Sequence, residues 1–231
     1  MKKLFYPSKQ KSSKTKSYSQ LFALVLSLSV IATSGVAVSQ TIEELINQAY
    51  DAYNLGNVSQ AEQILREAIK LYPKNSVAYS NLGIVLSQQG KLDEAISNYQ
   101  QAILLDPKYS PTYNYLGVAL YQQGKLDEAI SNHRQAISLE PENVRAYIDL
   151  GMALRAQEKL DEAISSLRQA ISLDPQNAFA YNNLGMVLVK QEKFEEAIAE
   201  FQQALKIEPN FVEAQNNLKE AEKQLALQRN R

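Results

Sequence analysis

Residues 76–109 read SVAYSNLGIVLSQQGKLDEAISNYQQAILLDPKY, and the same text returns at intervals of 34 residues. The next copies are SPTYNYLGVALYQQGKLDEAISNHRQAISLEPEN, VRAYIDLGMALRAQEKLDEAISSLRQAISLDPQN and AFAYNNLGMVLVKQEKFEEAIAEFQQALKIEPNF. A more diverged copy precedes them at 42–75, so the repeats run 42–75, 76–109, 110–143, 144–177 and 178–211. Agreement at so many fixed positions establishes a repeat architecture before any domain is counted.

Each position in the period has a physical reason. Tyr79, Leu82, Gly83 and Leu86 fall at i, i+3, i+4 and i+7, the spacing of one buried helix face. Gly83 sacrifices helix propensity, which close approach of a paired helix explains. Leu92, Ala95, Ile96, Tyr99, Ala102 and Ile103 repeat that period in a second helix. Between the two, Gln89-Gly90-Lys91 supplies a tight turn. Gly56 and Gly124 hold the same place, whereas Glu158 and Glu192 hold it later, so the turn does not strictly require glycine. Pro107 and its equivalents Pro73, Pro141, Pro175 and Pro209 end the second helix. The expectation is an all-α chain of ten helices in five antiparallel pairs, whose stacking supplies a core that no pair has alone. Residues 212–228 read as a further, capping helix with a thin apolar stripe of Val212, Leu218, Ala221 and Leu225.

These residues resemble the tetratricopeptide repeat family over 42–211. The family's first aromatic slot matches Tyr79, Tyr113, Tyr147 and Tyr181, and its Leu-Gly pair matches Leu82-Gly83, Leu116-Gly117, Leu150-Gly151 and Leu184-Gly185. Its small residues match Ala95, Ala129, Ala163 and Ala197, then Ala102, Ala136, Ala170 and Ala204. The first copy departs, with Leu45 in the aromatic slot and Ala49 for glycine, but Ala61 and Ala68 hold.

The resemblance implies a right-handed superhelical solenoid whose first helices line a concave groove, and a noncatalytic scaffold that holds a peptide or protein segment there. Carried onto this chain, the groove positions are Asn47, Tyr50 and Asn54; Asn81, Ile84 and Gln88; Asn114, Tyr115, Val118, Tyr121 and Gln122; Asp149, Met152 and Arg155; and Asn182, Asn183, Met186 and Lys190. Amides at a regular interval suit the main chain of an extended peptide, with tyrosine and methionine giving apolar contact. Interhelical bonding is the competing use of the same amides. The Lys and Arg of the family's carboxylate-gripping variety are replaced here by Ser80, Asn114 and Tyr115, with Arg145 and Arg155 arriving only in the fourth repeat.

Catalysis has little to rest on. Cysteine is absent, and the single histidine, His133, occupies a packing slot held elsewhere by Leu65, Tyr99, Leu167 and Phe201. A lone histidine lacks the clustered ligands of a zinc site. The acid pairs Asp93-Glu94, Asp127-Glu128, Asp161-Glu162 and Glu195-Glu196 recur at helix starts, where acids offset the helix dipole. No phosphate loop, dinucleotide fingerprint or nucleophile elbow is present. The expectation is therefore no enzyme, no catalytic residue, no metal and no cofactor.

Net charge is −1, but Lys2, Lys3, Lys9, Lys11, Lys14 and Lys16 all precede Leu21. Without them 18 basic residues face 25 acids, a balance of −7 that argues against nucleic acid as a partner. Residues 21–38, LFALVLSLSVIATSGVAV, form an uncharged apolar run behind that basic segment, the layout of an export signal or membrane anchor over 1–39. Ala37 and Ser39 suit cleavage before Gln40, while 18 residues at about 1.5 Å rise span about 27 Å, near a bilayer core. Either way, the basic flank places the repeat domain, 40–231, on the non-cytoplasmic side: periplasm, lumen or secreted. The whole resembles a bacterial-type chain. The alternative function is a structural or assembly protein acting by self-association or convex-surface contacts, and homo-oligomerisation is left open.

Overall fold

The computed structural model describes residues 40–230. Among these, eleven helices and no strand are found. The export-signal reading of 1–39 lies outside the described residues. The chain divides into two compact units, 1–72 and 73–231, each taken by itself below.

The first unit holds α1 (Ile42–Asn54) and α2 (Val58–Leu71). The sequence T-I-E-E forms a full capping box. Glu44 N–H donates to Thr41 Oγ1 at 3.2 Å and Thr41 N–H donates to Glu44 Oε2 at 3.0 Å, satisfying two otherwise orphaned amides. Leu45 and Ala49, the two departures from the repeat pattern, are both buried, so this copy keeps the packing with different side chains. The Tyr72 hydroxyl donates to the Gln40 carbonyl at 2.8 Å, tying the residue after α2 to the segment just before α1.

The second unit contains α3 (Ser76–Gln88), α4 (Leu92–Leu105), α5 (Ser110–Gln122), α6 (Leu126–Leu139), α7 (Val144–Ala156), α8 (Leu160–Leu173), α9 (Ala178–Lys190), α10 (Phe194–Ile207) and α11 (Val212–Arg229). First helices start where asparagine can cap them. The side chains of Asn75, Asn143 and Asn177 accept from the amides of Ala78, Ala146 and Ala180 at 2.8, 3.1 and 3.1 Å. They end in a left-handed residue: Gly90 and Gly124 at φ 75° and 76°, Glu158 and Glu192 at 60° and 59°. That conformation lets the amides of Lys91, Lys125, Lys159 and Lys193 reach back to the carbonyls of Leu86, Leu120, Leu154 and Leu188, closing each helix end.

Within the second unit each first helix packs on its own second helix, and each second helix packs on the helix that follows it. The helical glycines face one fixed slot of the partner helix. A Cβ built on Gly83, Gly117, Gly151 or Gly185 would lie 2.5 Å from Tyr99, 2.6 Å from His133, 2.7 Å from Leu167 or 2.6 Å from Phe201. The glycines are therefore required by ring and branched side chains that fill the gap between helices.

The repeats are also tied by rungs that the sequence reading did not anticipate. Gln123, Gln157 and Gln191, in the turns after α5, α7 and α9, donate through Nε2 to Asp93, Asp127 and Asp161 of the preceding repeat at 2.7, 2.6 and 2.8 Å. Asp93, Asp127 and Asp161, the first acids of three of the four pairs, thus serve the helix start and the neighbouring repeat together.

The capping helix α11 packs on α10 and α9, but its stripe differs from expectation. Val212 is 64% exposed, and Ala214 takes the buried place instead, because it occupies the slot of Ala146 and Ala180. Gln215 stands in the tyrosine slot and keeps its bond: it donates to the Pro209 carbonyl at 2.8 Å, as the Tyr113 hydroxyl does to Pro107 at 3.1 Å.

Candidate partner-binding face

Residues 34 apart form rows that cross consecutive first helices, and α5, α7 and α9 touch one another in turn. One row, Ser80, Asn114, Ile148 and Asn182, is buried. It meets the row one residue later in the next repeat. Asn114 Nδ2 donates to Asp149 Oδ2 at 2.8 Å, and Asn217 Nδ2 donates to Asn182 Oδ1 at 3.0 Å. Asn183 Nδ2 turns instead to the Phe179 carbonyl at 2.8 Å, since the side chain of Ile148 offers it no acceptor. The Asn81 amide nitrogen is buried without a partner among the described residues.

One junction is more heavily polar than the rest. His133 Nδ1 lies 2.7 Å from Asn114 Oδ1, and Arg145 Nε donates to both oxygens of Asp149 at 3.0 and 2.9 Å. His133 is 1% exposed and Asp149 7%. Burial lowers the His133 pKa to about 4, with Asp149 pulling it up and Arg145 pushing it down.

Six proposed groove contacts, Asn81, Ile84, Asn114, Asp149, Asn182 and Asn183, are buried. They offer little surface to a ligand in the stacked array. The remainder in this unit are reachable. Gln88, Gln122 and Lys190 are exposed, and Tyr115, Val118, Tyr121, Met152, Arg155 and Met186 are half-buried. Val118, Met152 and Met186 form a row of their own, one per first helix, flanked by the row Tyr121, Arg155 and Val189. The Tyr115 ring stacks on Tyr99 at 6.1 Å, which fixes it on this face. Lys190 pairs with Glu158, which leaves Arg155 as a cation without an acidic partner among the described residues. In the first unit, Asn47 and Asn54 are exposed on α1 and Tyr50 is half-buried.

Two exposed residues near the starts of first helices were not among the groove positions read from the sequence. Phe179 is 55% exposed and rests on Phe211 at 4.8 Å, and Arg145 presents a side chain that is 73% exposed. Their slot, next to the helix cap, holds Val77, Pro111, Arg145 and Phe179 in turn, and that variation between copies was the available signal.

On the second-helix side an open groove of about 520 Å³ lies between α8 and α10, with Arg168 and Lys193 opposed by Asp161 and Glu196. Beside it, burial raises the pKa of Glu200, with Arg168 opposing and Glu196 adding. Among the described residues no cluster of His, Cys, Asp or Glu could hold a metal, and no helix is long and apolar enough to cross a membrane.

A model described as TPR repeat matches residues 85–124, 119–154 and 151–192, and models described as Tetratricopeptide repeat match 45–75, 64–97 and 178–211. The chain belongs to the tetratricopeptide repeat family. Among solved structures it is similar to a thermophilic TPR protein of Thermus thermophilus, with TM-score 0.66 and 22% identity over 78% of this chain and 98% of that one. It is similar to MamA of Desulfovibrio magneticus RS-1, with TM-score 0.66 and 20% identity over 74% and 96%. It is also similar to YrrB, described as a TPR protein with an unusual peptide-binding site, with TM-score 0.62 and 23% identity over 78% and 92%. A search of curated proteins finds no match. The likenesses carry the fold, a solenoid of stacked tetratricopeptide helix pairs. Proteins of this family generally mediate protein–protein interactions and are generally noncatalytic.

Proposed function

We propose that this chain is a noncatalytic scaffold that holds an extended protein segment against its first-helix face. The observation that carries the reading is the half-buried row Val118, Met152 and Met186, bordered by Tyr121, Arg155, Gln122 and Lys190. Such a strip offers apolar area to side chains while its edges offer amide and cationic donors to main-chain carbonyls. Methionine adapts its shape to different contacts, which suits a segment without fixed structure. The peptide-binding site named for YrrB lends support through a shared fold.

The test uses residues that reach the surface. A triple variant, Tyr121→Ser, Met152→Gln and Met186→Gln, is compared with wild type in capture of partners from a lysate of its own source, with helical circular dichroism as the folding control. Loss of the captured proteins with helicity intact supports the face. Unchanged capture assigns binding elsewhere, and light scattering across protein concentration then tests self-association. We further propose that the repeats act on the non-cytoplasmic side of a membrane, on the strength of the basic and apolar leader. Sequencing the mature N-terminus checks this, since cleavage before Gln40 is the expected result.

A further inference from the structure

In the second helices of this unit, the slot that presses on a first-helix glycine is held by Tyr99, His133, Leu167 and Phe201. Only His133 is polar enough to bind a proton near neutrality. Its ring lies hard against Gly117: a Cβ there would be 2.6 Å from Cε1, 2.8 Å from Nδ1 and 2.9 Å from Nε2. The hydrogen-bond network fixes where its proton sits. Asn114 Nδ2 is committed to Asp149, so Asn114 Oδ1 faces His133 and accepts from Nδ1–H. Nε2 is left as a bare acceptor with no partner among the described residues.

A second proton at Nε2 would put a charge on a ring that is 1% exposed, with no protein acceptor among the described residues to receive it. The surrounding charges do not rescue it. Helix α5 offers no acid or base facing the ring, only phenols. From α7, Asp149 attracts the proton, but both its oxygens already accept from Arg145 and one accepts from Asn114, while the Arg145 guanidinium repels it. On α6 itself, Arg134 is engaged with Glu162 of α8 at 2.6 Å.

We propose that the α5–α6–α7 junction is an acid-labile hinge: mild acid opens the stack between the third and fourth repeats before it opens elsewhere. Repeat arrays allow this, because each repeat is held by its neighbours and can open as a local unit. The sign follows from where the proton binds. The closed form holds His133 neutral down to a pKa of about 4, whereas an opened junction restores about 6.5. Between those values the open form binds more protons, so protection is full above the upper one and is lost as pH falls through the window. From pH 7 to pH 5 the opening equilibrium rises about 20-fold.

Hydrogen exchange on the full chain tests this at pH 7 and pH 5, with intrinsic exchange rates corrected. The amides of α5 to α7 should lose about 20-fold protection relative to those of α9 and α10, and His133→Leu should abolish the difference. Equal losses in both regions, or the same regional loss in His133→Leu, overturns the hinge. Because His133 is the single histidine of the chain, its ring protons in a nuclear magnetic resonance spectrum give a second reading that needs no variant. A native ring signal that stays neutral at pH 5 is expected, and one that titrates near 6.5 with native dispersion intact overturns the proposal.

Discussion

Replacing Gly185 by Ala should destabilise the α9–α10 pair, although Ala is the better helix former by about 1 kcal/mol. The new Cβ would stand 2.6 Å from Phe201 Cε1, 2.8 Å from Cδ1 and 2.9 Å from Cζ. Ordinary contact begins at 3.4 Å, so the ring would have to retreat by about 0.8 Å. Phe201 is among the fully buried side chains and sits in a core formed with Leu184, Leu188 and Ala197, which leaves little space behind it. Overpacking of this kind costs about 1–3 kcal/mol, and setting the helix gain against it leaves a net loss of up to about 2 kcal/mol. In a Phe201→Ala background the obstacle is gone, and Gly185→Ala should then stabilise by up to about 1 kcal/mol. Urea unfolding of the four proteins, followed by helical circular dichroism, gives a double-mutant cycle with an expected coupling of about 1–3 kcal/mol, the overpacking cost itself. Gly185→Ala with the same effect in both backgrounds would refute the claim that the ring dictates the glycine.

Further substitutions address the turns, the rungs and the first cap. Glu192→Gly relieves a left-handed residue and should raise stability by about 0.5–1 kcal/mol, whereas Gly124→Ala should lower it by about 1 kcal/mol; urea midpoints report both. Asp127→Ala leaves Gln157 Nε2 without its acceptor and should cost about 1 kcal/mol, with the Asp127→Ala and Gln157→Ala double variant less damaged than the sum of the singles. Thr41→Ala removes the capping box and should cost about 1 kcal/mol, visible as faster hydrogen exchange in the first turns of α1.

The fold was legible because each slot of the period has one dominant physical demand. Proline cannot continue a helix, and a glycine inside one marks a close neighbour, so pair boundaries and packing faces followed directly. The candidate face was less legible. Periodicity identified Leu82 and Leu86 as buried, but Ser80, Asn114 and Asn182 lie on the flank that the next first helix covers, and that cover depends on how the repeats stack. Asp149 reads as a surface charge and is buried, because Asn114 and Arg145 arrive from adjacent positions to satisfy it. The rungs escaped for another reason. An acid at a helix start is already explained by the helix dipole, and nothing local points to a glutamine 30 residues later.

Those rungs have a consequence for how such a chain can change length. Each joins a glutamine to an aspartate in the preceding copy, and the third and fourth copies carry both halves of the connection. Deleting residues 110–143 from loop to loop would bring Gln157 opposite Asp93, with the connector rebuilt from parts already present. The array therefore behaves like interlocking tiles with a common edge, so recombination can lengthen or shorten the face in whole steps while the residues that distinguish one tile from another travel with it.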